Sequence, residues 1–319
     1  MLFEKKVLQM YKSIAHNRCD DTGTAYYFTP ADFDGLQCTP FAFRAAAGHT
    51  LQGYFYNYSD FIPDRIVVFD HGFGGGHRAY MREIDLLCRH GFRVFSYDHT
   101  GCMESGGSDP NGMAQSLCDL NDCLCALKAD KRNENCTYSV MGHSWGGFST
   151  LQIASVHKDI THAVVISGFI SVDALVGSLY GGILKPWKKA IMALENACNP
   201  AFVQYDAIHS LQHTNANILL IYSENDQLVS KKAHFDVLHK ALSDKPNIRF
   251  VLEKNKSHNP NYTMEAVRYL AQFSAQRAKF IKTNPTDTQK KTFTESFDWK
   301  KMTEQDAQVW AEIFKTLDA

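Results

Sequence analysis

The feature that most constrains this chain is a succession of short apolar runs set apart by segments of mostly helical length. The runs are Ile66–Phe69, Val94–Tyr97, Tyr138–Met141, Ala163–Ser167, Ile218–Tyr222 and Ile248–Leu252. Strands alternating with helices predict a largely parallel, twisted α/β sheet covered by helices on both faces. Residues 36–58 have a different texture, alternating around Gly48-His49, and predict an antiparallel hairpin. The core is thus expected over residues 36–168 and 214–280.

Three segments fall outside that pattern. Residues 1–35 read as an amphipathic leader helix, with Leu2, Val7, Leu8 and Tyr11 apolar, followed by a linker. The gap 168–217 is too long for one crossover helix. It carries Gly177–Gly182, whose glycines read as hinges or turn residues, and an apolar helical stretch around Trp187–Leu194, so residues 169–213 read as an inserted helical cap. Residues 281–319 open with the disorder-like KTNPTDTQKKT. They end in a helix expected over Glu304–Leu317, with Val309, Trp310, Ile313 and Phe314 on one side, that docks on the body or mediates a homodimer.

Composition removes several classes of function. Lysine plus arginine number 33 against 34 acids, so no basic surplus points to nucleic acid. Nine cysteines, an odd count with no C-x-x-C pair, argue against a disulfide framework or a zinc ribbon. A reducing cytoplasm is the expected setting. The N-terminus lacks the apolar core of a signal peptide, and no stretch approaches a membrane span.

The most informative stretch is Tyr138-Ser139-Val140-Met141-Gly142-His143-Ser144-Trp145-Gly146-Gly147. An apolar strand runs into Gly-x-Ser-x-Gly, and Phe148–Val156 follows as a helix. A nucleophilic serine needs this setting: a tight strand-to-helix turn exposes its hydroxyl, and flanking glycines relieve the crowding. The pentapeptide alone arises by chance in about one chain in ten of this length, so the strand before it and the helix after it carry the assignment of Ser144.

With Asp70–His77 (DHGFGGGH) and Tyr97–Gly107 (YDHTGCMESGG), this unit resembles the α/β-hydrolase superfamily, near its serine-aminopeptidase and small-ester-hydrolase branch, over roughly residues 40–275. Relatives carry D-x-R-G-x-G-x-S in the last of these motifs; Thr100 and Met103 replace the Arg and the second Gly here. The resemblance implies an α/β-hydrolase fold with a helical cap insertion.

A serine hydroxyl is a poor nucleophile at neutral pH and needs a base held by an acid. The family's chain order is Ser, acid, His. Ile218–Val229 matches the family's strand followed by an acid, which places Asp226 in that role, with Glu224 and Asp173 as rivals and a helix N-cap as its plainer reading. His258, on a loop before the helix Met264–Gln276, is the base candidate. By resemblance the oxyanion donors are the backbone N–H groups of Trp145 and Phe73, with His71 bracing the loop of Phe73. An apolar acyl pocket is expected from Leu228, Val229, Phe169, Tyr180 and Trp187, though lid packing explains these aromatics about as well. His209 and His213 stand at a spacing that could hold metal, but no third ligand is evident and no metal is expected. Cys102 reads as a structural or incidental thiol.

The expectation is a cytoplasmic, carboxylesterase-like serine hydrolase working through an acyl-enzyme on a small acyl substrate, with no cofactor. Thioesterase, aminopeptidase, acyltransferase and C–C hydrolase variants of the same triad remain open, as does a binding protein on the same scaffold. Glu195 is the one obvious lid acid for an aminopeptidase to hold a substrate amine.

Overall fold

The structure, a computed structural model, describes residues 2–180 and 185–319. After α1 (Leu2–Ala15), the hairpin β1 (Gln37–Arg44) and β2 (Thr50–Asn57) turns at Gly48, whose φ of 89° suits glycine. The alternating part then runs β3 (Arg65–Asp70), α2 (Met81–Arg89), β4 (Arg93–Tyr97), α3 (Gln115–Ala129), β5 (Thr137–His143), α4 (Trp145–Val156) and β6 (Ile160–Ile166). Next come α5 (Val172–Leu179), α6 (Lys185–Cys198), α7 (Ala207–Gln212), β7 (Asn217–Ser223), α8 (Phe235–Leu242) and β8 (Ile248–Glu253). The chain closes with α9 (Met264–Phe280), α10 (Asp287–Glu295), α11 (Trp299–Met302) and α12 (Ala307–Leu317).

The eight strands form one sheet in the order β1-β2-β4-β3-β5-β6-β7-β8. The hairpin pairs antiparallel, β2 joins β4 antiparallel, and every pair from β4 onward is parallel. Each of the six apolar runs read in the sequence lies in a strand, save that the fourth runs one residue beyond β6. Successive side chains point to opposite faces, so the two halves of each run enter two different cores. Ile66, Val68, Val140, Val165 and Leu220 meet α3, α4, α7 and α8 through residues such as Leu117, Phe148, Leu211 and Leu238. Val67, Phe69, Met141, Val164 and Ile221 meet α2 and α12.

The role of α12 is the main addition to the sequence reading. Its apolar side, Val309, Trp310, Ile313 and Leu317, is buried on β6 and β7 within this chain. It covers part of the sheet that α9 leaves bare; α9 buries only Ala266 and Phe273. Phe273 instead packs on Phe293, Phe297 and Trp299, binding α9 to α10 and α11. The stretch read as disorder-like is therefore helical from Asp287. Thr286 and Gln289 form a capping box at its start, and Phe293 stacks on Phe280 at 4.2 Å. The last helix begins at Ala307 rather than Glu304. Residues 304–306 instead lie beside 261–263, with Thr263 N–H bonded to Glu304 O and Asp306 N–H to Asn261 O, and Asp306 then caps the helix.

Between β6 and β7, α5 and α6 stand where a cap was expected, and α1 packs on α6. The glycine stretch 177–182 is described only to its fourth residue; Gly181 and Gly182 lie outside the described residues. Among those residues no helix is long and apolar enough to cross a membrane.

Because Trp310 is only 3% exposed, Trp310→Ala is expected to destabilise the fold by about 3–5 kcal/mol, measured by denaturant unfolding. Truncation at Lys282 is expected to lower the thermal midpoint sharply; an unchanged midpoint would mean that the sheet does not need α12.

Candidate active site

Ser144 sits between β5 and α4 with φ 56° and ψ −108°, a conformation that side-chain-bearing residues rarely adopt. Sterics explain the flanking glycines. A Cβ on Gly142 would collide with the Gly146 carbonyl and Thr150, and one on Gly146 would strike the backbone of Asp70. The Ser144 N–H is tied to Ile166 O at 2.8 Å, which fixes the turn to the neighbouring strand.

Ser144 Oγ lies 2.8 Å from His258 Nε2, and His258 Nδ1 lies 2.7 Å from Asp226 Oδ2. Asp226 is buried, and its other oxygen accepts the N–H groups of Leu228 and Val229 at 2.8 and 3.0 Å. Burial alone would raise its pKa, but His258 and these two N–H donors outweigh it and hold the carboxyl below the usual range. Asp226 thus contacts the imidazole and closes the turn that follows it, whereas the next helix, α8, starts only at Phe235 with His234 before it, so its helix N-cap reading does not hold. Its rivals are elsewhere: Glu224 is exposed, and Asp173 is exposed and paired with Lys188.

The loop of His258 is held by its neighbour. Asn225 Oδ1 accepts Ser257 N–H at 2.9 Å, and Ser223 Oγ accepts Lys256 N–H at 3.2 Å. Buried Lys256 also pairs with Asp306, so the segment before α12 braces this loop from outside.

The Phe73 and Trp145 rings meet edge to face at 5.1 Å. Neither backbone N–H donates to another group among the described residues, which leaves both free to act as oxyanion donors. His71 braces the glycine loop: its Nδ1–H donates to Gly72 O, and its Nε2 accepts the N–H of His99. Burial first, and His99 second, push the His71 pKa down to about 3.

Beneath this loop lies a cluster that the sequence reading did not find. His99 is fully buried, 3.0 Å from Asp70 and 3.1 Å from Asp119. Its Nε2 is out of line for a hydrogen bond to Asp70, so that contact is coulombic. Burial opposes a charge on His99, but the two carboxylates outweigh it and lift its pKa to about 10. The available signal was charged residues at the ends of apolar runs, Asp70-His71 and Asp98-His99.

The expected pocket residues are scattered. Phe169 is buried and stacks on Phe148 at 4.7 Å, so it belongs to the core under α4 rather than to a lid. Tyr180 is buried edge-on against Tyr11 of α1, and Trp187 is half-buried. Val229 is buried beside Asp226, whereas Leu228 is 56% exposed. Glu195 is fully buried and accepts hydrogen bonds from Tyr11 Oη and Met113 N–H. The His209 and His213 rings lie 5.8 Å apart. Among the described residues, no group of three donors could hold a metal. The Cys102 thiol is raised by its contact with Cys19 and by burial, which disfavours a thiolate there.

The sequence profile of the serine aminopeptidase S33 family matches residues 62–242, more than half of the chain. The chain belongs to this family. Its fold is the α/β-hydrolase fold. Among solved structures, an esterase of Pyrococcus furiosus superposes with a TM-score of 0.59 at 17% identity, covering 84% of this chain and 98% of that one. A puromycin-hydrolysing peptidase of Mycobacterium tuberculosis gives 0.55 at 15% identity, covering 70% and 36%. A protein of Serratia proteamaculans provisionally named carbamate hydrolase RutD is 36% identical over 109 residues, 34% of this chain and 39% of that protein. The chain thus spans well under half the length of the relatives of this name that it matches.

A histidine whose pKa is raised on folding lends stability that is complete below its unfolded value near 6.5 and is lost as pH climbs toward about 10. His71 behaves oppositely and stays neutral down to about 3. Histidine NMR titration is expected to find His99 protonated at pH 8 and His71 neutral at pH 5. A His99 ring titrating at the free-histidine value would remove the buried ion pair.

Proposed function

We propose that this protein is a serine hydrolase that cleaves a small acyl ester through Ser144, His258 and Asp226. The observation that carries the reading is the continuous hydrogen-bonded line from Ser144 Oγ through His258 to Asp226, on a turn whose backbone presents the serine. His258 Nε2 takes the Ser144 proton as Oγ bonds to the acyl carbon. The negative charge that develops on the carbonyl oxygen is received by the Phe73 and Trp145 N–H groups. His258 returns the proton to the leaving alkoxide, and the C–O bond breaks to leave an acyl-enzyme. Water then loses a proton to His258, attacks the acyl carbon and releases the carboxylic acid, restoring Ser144. Asp226 holds the Nδ1–H tautomer throughout and steadies the imidazolium.

An ester fits better than a peptide with a free amine. Glu195, the lid acid that would hold such an amine, is already engaged by Tyr11 and Met113. The short match to carbamate hydrolases favours including a carbamate as a second substrate class. Helices α5 and α6 serve as the cap, steadied from outside by α1. Nine free thiols support a reducing, cytoplasmic setting.

Mass spectrometry after fluorophosphonate treatment is expected to find one adduct, on Ser144, that is absent from Ser144→Ala. A p-nitrophenyl ester series with a carbamate arm then sizes the acyl pocket. Asp226→Asn is expected to lose roughly ten-thousand-fold in kcat, because the imidazole tautomer is no longer held. A folded wild-type protein that takes no label would sink the serine mechanism.

A further inference from the structure

His143 precedes the nucleophile, is buried, and has no part in the mechanism above. Both of its ring nitrogens are nevertheless engaged. Nε2 lies 2.8 Å from the backbone carbonyl of His258, and Nδ1 lies 2.8 Å from Tyr80 Oη. Tyr80 Oη in turn lies 3.0 Å from the N–H of Gly72. The two ends of this chain have fixed polarity: an amide N–H can only donate and a carbonyl can only accept. The polarity of the middle follows. Gly72 N–H donates to Tyr80 Oη, Tyr80 O–H donates to His143 Nδ1, and His143 Nε2–H donates to His258 O.

Each end of the chain touches a different part of the site. Gly72 is the neighbour of the oxyanion donor Phe73, His143 is the neighbour of Ser144, and the terminal carbonyl belongs to the base itself. We propose that Tyr80 and His143 are positioning residues that set the spacing between the oxyanion loop, the nucleophile turn and the loop of His258. This rests on the serine-hydrolase reading above.

Three further observations support it. A Cβ on Gly72 would collide with Tyr80 Oη and crowd His143 Nδ1, so the loop approaches this pair as closely as glycine allows. Phe69 packs on the Tyr80 ring at 5.1 Å and holds it against the sheet. The His143 and His258 rings lie 4.8 Å apart, so His258 gains its proton beside a ring that burial, and His258 itself, keep neutral, with a pKa near 3. A neutral neighbour does not oppose the imidazolium of the transition state, as a charged one would.

The test combines a rate with a spectrum. Fluorophosphonate labelling of Ser144 is timed in the wild type, Tyr80→Phe, His143→Gln and His143→Leu, with thermal midpoints recorded for each. Nitrogen NMR reads the His143 tautomer in the wild type and in Tyr80→Phe. The expected wild-type spectrum has a protonated Nε2 and a bare Nδ1 from pH 6 to pH 8, with that preference weakened in Tyr80→Phe. Tyr80→Phe is expected to keep its midpoint yet label about tenfold more slowly or worse, since small misplacements of reacting groups are costly. In ester turnover its kcat falls while KM holds. His143→Gln, whose amide can donate to the His258 carbonyl and accept from Tyr80, is expected to retain more activity than His143→Leu. Wild-type labelling speed in Tyr80→Phe overturns the proposal, as does a wild-type His143 that is protonated or carries its proton on Nδ1. A wild type that takes no label at Ser144 defeats the serine reading instead, and the tautomer spectrum still decides the hydrogen-bonded chain.

Discussion

Everything at this site depends on how closely α4 is allowed to approach the strands beneath it. Gly146 lies against the backbone of Asp70 and His71, and Gly147 against Gly168. Side chains at these positions would push the helix outward and take Ser144 with it. The cramped turn forces Ser144 into its positive φ, lifts the hydroxyl above the sheet and leaves the first N–H of α4 without a partner among the described residues. One steric constraint thus presents the Ser144 hydroxyl and a backbone donor together.

The parts around that turn are carried at the carboxyl ends of parallel strands: Asp70 ends β3 and His71 to Phe73 follow it, Ser144 follows β5, Asp226 follows β7 and His258 follows β8. Side chains tens or hundreds of residues apart in sequence become neighbours because their strands share a sheet. What the sheet does not fix is the conformation of each loop. Local hydrogen bonds do that, from Asn225 and Ser223 to the His258 loop and from His71 to the glycine loop. Beneath the glycine loop His99, between two carboxylates that favour its protonated form, anchors His71 through its own N–H.

Much of this was legible in the sequence. The six apolar runs located the strands because burial on both faces leaves little choice of residue, and Gly142-x-Ser144-x-Gly146 located the turn because only glycine fits there. Asp226 and His258 followed from chain order and their places after strands. The readings that went astray depended on distant contacts. KTNPTDTQKKT looks disordered because its polar residues face solvent, and its helix rests on a cap and on Phe293 reaching Phe280. Phe169 resembled a lid residue, since nothing local says that the chain leaving β6 passes under α4. The His99 cluster was hidden because its members come from three separate elements.

The covering of β6 and β7 by α12 also bears on the order of assembly. Strands β3 to β8 and most of their helices precede residue 254, yet one flank of the sheet keeps its apolar side chains in water until residues 307–317 have been synthesised. The same late segment supplies Asp306 to Lys256 and pairs with residues 261–263, next to the loop of His258. A nascent chain that has reached only α9 therefore holds an open apolar flank and a His258 loop lacking its outer support. Such a chain is the form most in need of protection from self-association while it is still being made.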